Sequence, residues 1–105
     1  MQAEPAENLP HYIVLGSFTE QGLQNIKDSP KRAEAVSKLA KKVGASLKDT
    51  YWTLGQYDFV AIIEAPDDVT MTALGATIGK LGNVRTETLR AFTGAELKSI
   101  LAKIA

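Results

Sequence analysis

The chain has 105 residues, 45% of them apolar and 23% charged, and its twelve Lys and Arg offset twelve Asp and Glu. This length points to one domain, and zero net charge provides no field to recruit nucleic acid or an anionic membrane. With no cysteine and a single histidine, His11, the chain excludes disulfides, thiolate metal sites, a cysteine nucleophile and an all-histidine metal site within one subunit.

Residues 1–10 carry two prolines and two glutamates with little to bury, and read as a flexible tail ahead of a single domain at 11–105. That amino terminus lacks a basic start followed by an apolar core, so no secretory signal is expected. No apolar run approaches the roughly 20 residues of a membrane helix, and a cytoplasmic location is expected. His11 to Phe18 is nearly continuously apolar from Tyr12 to Leu15, which predicts a central strand. Thr19 caps a first short helix. Ser29-Pro30 starts a second, on which Ala33, Val36, Leu39, Ala40 and Val43 keep helical spacing until Gly44 ends it. Lys38, Lys41 and Lys42 read as its solvated face.

Strands are predicted at Leu47 to Leu54 and Tyr57 to Ala65, joined by a two-residue turn at Gly55-Gln56. Pro66 closes the third strand, and Asp67 or Asp68 caps a helix bearing Met71, Leu74, Ile78 and Leu81 on one side. Gly75 and Gly79 on that helix allow another backbone to come close. After Gly82-Asn83 a fourth strand runs from Val84 to Phe92. Thr93 and Glu96 form a capping box for a last helix with Leu97, Ile100, Leu101 and Ile104.

This order is the ferredoxin-like βαββαβ plan of the α+β class: a four-stranded antiparallel sheet, both helices on one face, and a short C-terminal helix. On the third strand Val60 and Ile62 alternate with Tyr57, Phe59, Ala61 and Ile63. On the first, Ile13 and Leu15 alternate with Tyr12, Val14 and Phe18. Both sheet faces are therefore apolar, and the face without helices is expected to be covered by a second copy of the chain. Tyr12, Tyr57 and Phe59 are assigned to that open face, with Asp58 turned toward the helices.

Several segments resemble the GYD domain family. They are Tyr-Ile-Val-Leu-Gly-Ser-Phe-Thr at 12–19, Lys-Asp-Ser-Pro-Lys-Arg-Ala-Glu at 27–34 and Tyr-Trp-Thr-Leu-Gly-Gln-Tyr-Asp at 51–58. Glu-Ala-Pro-Asp-Asp at 64–68 and Leu-Gly-Asn-Val-Arg-Thr-Glu-Thr-Leu-Arg-Ala-Phe at 81–92 continue the likeness, which covers residues 11–100. The residues that name the family are Gly55, Tyr57 and Asp58. The resemblance implies a small bacterial or archaeal protein of the dimeric α+β-barrel kind, and it implies no reaction.

Candidate chemistry is sparse. Tyr57 and Phe59, with Tyr12 on the neighbouring strand, have the spacing of an RNA-stacking surface, but zero net charge and Asp58 between the stackers oppose phosphate. Asp58 either orients a polar ligand with Arg85 or Arg90, or anchors the hairpin by accepting backbone hydrogen bonds. Thr88 and Arg90 would give an apolar pocket its convergent polar groups, and a solvated edge strand explains the same pattern. His11, at a strand start, reads as a solvated histidine.

The resulting expectation is a homo-oligomer that binds a small molecule between two sheets through Tyr12, Trp52, Tyr57 and Arg90, with Trp52 alternatively packed under a helix. No cofactor, metal, nucleic acid or membrane partner is expected. A cofactor-free or metal-assisted enzyme and a purely structural assembly protein are the alternatives. A convergent acid–base pair would favour the enzyme, and an apolar cavity with one arginine the binder.

Overall fold

In the computed structural model residues 9–105 are described, so most of the expected tail, residues 1–8, lies outside the described residues. The elements in chain order are β1 (His11–Phe18), α1 (Glu20–Gln24), a 3-10 turn (Ile26–Asp28), α2 (Ser29–Lys42), β2 (Ser46–Trp52), β3 (Phe59–Glu64), α3 (Asp68–Lys80), β4 (Val84–Ala91) and α4 (Gly94–Ala102). The strands form one sheet in the order β2-β3-β1-β4 with every neighbouring pair antiparallel. This is the ferredoxin-like arrangement that the element order predicts. Among the described residues no helix is long and apolar enough to cross a membrane.

Local chemistry fixes the helix starts. Thr19 Oγ1 accepts the Gly22 N–H at 3.1 Å, and Asp67 Oδ1 accepts the Thr70 N–H at 2.8 Å. Thr93 and Glu96 exchange the two bonds of a capping box, at 3.1 and 2.8 Å. Pro30 lies in the first turn of α2, where its missing N–H costs nothing, and Gly44 follows that helix at φ +81°.

The buried core joins Tyr12 and Val14 of β1 and Ala61 and Ile63 of β3 to Ala40 of α2 and Met71 and Leu74 of α3. One set of alternate strand residues therefore packs under the helices. The other set, Ile13, Leu15, Val60 and Ile62, forms the opposite, open face.

Two expectations need correction, and a third, the side on which Trp52 packs, resolves to the alternative under a helix. The first concerns Tyr12 and Phe59, which belong to the helix side: Tyr12 is core, and the Phe59 ring lies over Gly16. The second concerns the hairpin. β2 and β3 are joined through residues 53–58, closed by Thr53 N–H to Asp58 O at 2.9 Å and Thr53 Oγ1 to Tyr57 O at 2.6 Å. Backbone that leaves the ladder loses the two-residue alternation, so Tyr57 and Phe59 part to opposite faces. The third concerns β2. Its register against β3 shifts between Leu47 and Asp49, leaving Lys48 unpaired. An extra residue of this kind reverses parity, and it brings Leu47, Thr50 and Trp52 together on the helix side.

Candidate functional site

The most connected polar group lies where β1 and β4 meet α3. Tyr12 is 3% exposed, and its hydroxyl donates to Asp68 Oδ1 at 2.5 Å. Burial, then this bond to a carboxylate, pushes the Tyr12 phenol up to about 12. The Arg90 guanidinium, on the neighbouring β4, sits 5.6 Å from the Tyr12 ring centroid and 4.4 Å from that of Phe92. It pairs with Glu96 at 3.6 Å, and the Thr93 backbone amide holds the Glu96 carboxyl below its usual range. Thr86 and Thr88 line the same cleft.

Each charge here has a partner already. The phenol is committed to Asp68 and stays protonated at neutral pH, while Arg90 ties β4 to the capping box of α4. The group staples four elements, β1, α3, β4 and α4, and no acid–base pair in it is free to exchange protons with a substrate.

Tyr57 and Trp52 stand elsewhere. The Tyr57 hydroxyl donates to Glu87 Oε1 at 3.0 Å across β1, and this bond raises its pKa. Glu87 pairs with Leu15, so Tyr57 lies on the open side. Trp52, 49% exposed, ends β2 on the helix side, at the sheet edge opposite to Arg90. Of the four ligand residues expected from sequence, Tyr12 and Arg90 are adjacent, and the other two occupy separate places. The β-bulge and the six-residue connection separate them.

Within the Gly55, Tyr57 and Asp58 set, Gly55 adopts φ +119° in an open turn. Asp58 Oδ2 accepts the Phe18 N–H at 2.9 Å, while its own N–H donates to Gly16 O at 2.8 Å. Asp58 thereby seals the end of β1 against the connection.

Two groups stand otherwise than the sequence suggests. His11, expected as a solvated histidine, instead has Nε2 3.1 Å from Glu64 Oε2 and a buried Nδ1 without a hydrogen-bond partner among the described residues. That pairing depends on the β1–β3 register, which sets His11 opposite Glu64. Arg32 lines a cavity beneath α2 and, among the described residues, bonds only backbone carbonyls and a serine. Among the described residues, no three His, Cys, Asp or Glu side chains converge as metal ligands would.

Residues 12–101 match the GYD domain family. The chain belongs to the GYD domain family. A Thermus thermophilus relative, named glutamine synthetase and cystathionine beta-lyase binding protein, is 33% identical over 90 residues, covering 85% of this chain and 95% of the relative. Among solved structures, this GYD protein is similar to the Mycobacterium tuberculosis feast or famine regulatory protein complexed with L-methionine, at TM-score 0.65 and 17% identity. It is also similar to the leucine response regulatory protein of that organism, at TM-score 0.64 and 16% identity. Both likenesses cover 89% of the GYD chain and only 58% of the regulator. A further structure, from Thermus thermophilus, superimposes at TM-score 0.53 with 24% identity over 82% of this chain and 96% of that one. At these identities the likenesses concern the fold alone.

Proposed function

We propose that this GYD protein is a non-catalytic binding domain that works as a homo-oligomer joined through the open sheet face. The observation that carries this reading is the composition of that face. Ile13, Leu15, Val60 and Ile62 form its centre, Leu89 on β4 extends it, and Leu89 is 42% exposed. The helices that share the core with the sheet pack on its other side. An apolar patch of this kind is unfavourable in water and marks an interface. Arg85 and Glu87 flank it on β4 with opposite signs, which suits a two-fold contact where the same patch meets itself. The exposed Leu97, Ile100, Leu101 and Ile104 of the α4 segment add a further apolar strip for the same assembly. The committed partners of Tyr12, Asp68, Arg90 and Glu96 favour a binding role over catalysis. Sedimentation equilibrium at micromolar concentration tests the reading: a dimer or larger species is expected, and a monomer at every concentration contradicts it.

A second reading concerns what the assembly binds. The Thermus relative matches nearly end to end and is named for binding two metabolic enzymes, which favours a protein partner over a small molecule held between sheets. Titration of the host's own glutamine synthetase and cystathionine beta-lyase, followed by calorimetry, would give saturable heat with at least one of them. No heat with either removes this second reading and leaves the first in place.

A further inference from the structure

Between the helix side of the sheet and helices α2 and α3 lies a cavity of about 250 Å³. Phe59, Trp52 and Val14 form its floor, and Val36, Leu39 and Ile78 its roof. The core beside it is built largely of small side chains, Ala40, Ala45, Ala61 and Ala65, set among Tyr12, Val14, Ile63, Met71 and Leu74. Leu39, Phe59 and Ile78 lean on that core and stay partly exposed. The hollow opens to solvent on one side, where Trp52 is 49% exposed, so a ligand can reach it. An aliphatic cavity of about 150 Å³ stays dry and takes up benzene, so this larger one has room for a ring or a short branched chain.

One charge meets the cavity. Arg32 of α2 donates to Asn25 O at 2.8 Å, to Ser29 Oγ at 3.2 Å and to Gly22 O at 3.5 Å, and all three are neutral acceptors. The close contacts between basic and acidic side chains are His11 with Glu64 and Arg90 with Glu96, so Arg32 has no carboxylate partner among the described residues. A guanidinium has five donors in a planar fork that suits a carboxylate. An apolar hollow with a single unneutralised cation at its α1–α2 end complements an anionic head on an apolar body.

We propose that this cavity binds a small apolar monocarboxylate, its hydrocarbon body between Phe59 and the α2–α3 roof and its carboxylate on Arg32. The site lies within one subunit, on the far side of the sheet from the open face, and stands or falls apart from self-association.

The test titrates octanoate into the full chain and follows emission from Trp52, the single tryptophan, with octanamide as the uncharged counterpart. Octanoate should change the emission saturably, and Arg32→Gln should weaken its binding about ten-fold or more through loss of a charge-assisted contact. Octanamide should bind the native chain and Arg32→Gln equally. Ala33→Phe, which fills the hollow from α2, should abolish the octanoate response and leave the thermal midpoint unchanged or raised. Amide NMR shifts should fall on Val36 and Ile78 and spare Ile13 and Ile62. The proposal is overturned by no response in the native chain, by a response that survives Ala33→Phe, or by shifts confined to the open face. If Arg32→Gln fails to fold, the preference of the native chain for octanoate over octanamide and its loss in Ala33→Phe decide the matter.

Discussion

Asp58 and Phe18 lie 40 residues apart in sequence, yet the Asp58 carboxylate accepts the Phe18 backbone N–H at 2.9 Å. The bond takes the last β1 amide where the ladder to β3 has ended at Gly16, so a family-naming residue does backbone work. Removing the acceptor leaves a part-buried donor unpaired. Asp58→Ala should therefore cost about 1–3 kcal/mol of stability, and Asp58→Asn, which keeps an oxygen there, less. Urea unfolding of the two variants checks the order.

Gly16 and Phe59 form a second such pair. A Cβ on Gly16 would lie 2.0 Å from the nearest Phe59 ring atom, far inside contact distance. Gly16→Ala should lose about 1–3 kcal/mol by overpacking, and Phe59→Leu should recover part of that loss. A double-mutant cycle measures the coupling, and additive losses would show that the ring moves aside freely.

Gly55 faces open space but holds φ +119°, a backbone region that side chains resist. Gly55→Val should lower stability by about 1 kcal/mol through backbone strain alone. Thermal unfolding detects it, and Gly55→Asn should cost less, because asparagine tolerates positive φ better.

The buried Tyr12 phenol predicts an alkaline weakness. Its folded pKa is raised to about 12 from the ordinary 10.0, so the folded state holds that proton more tightly than the unfolded chain does. The stabilisation is therefore complete below pH 10 and is lost as pH rises toward 12. Urea midpoints of the native chain should fall across that window more steeply than those of Tyr12→Phe. Parallel curves would mean that the phenol does not titrate on unfolding.

The strand–helix order, the capping box at Thr93 and Glu96, and the resemblance carried by residues 51–58 were legible because each rests on local spacing. The placement of side chains on faces was not. Parity carried unbroken from Ala61 back to Tyr57 puts Tyr57 beside Phe59, and nothing local signals that residues 53–58 leave the ladder. The unpaired Lys48 is equally silent in sequence, and it decides that Trp52 packs on the helix side. His11 and Glu64 meet only once β1 and β3 are in register. Pairing across strands is a tertiary property, and a change of one residue turns every later side chain to the other face.

Association through the open sheet face is tested directly by molar mass from light scattering on three proteins. The native chain, Ile62→Lys on the open face and Val69→Lys on the outer surface of α3, where Val69 is 80% exposed, are compared at one micromolar concentration. A lysine at Ile62 would place an unpaired charge in a dry contact, whereas the same charge at Val69 stays in water. Oligomers are expected for the native chain and Val69→Lys, and a monomer for a folded Ile62→Lys. Equal masses for all three proteins would contradict association through that face.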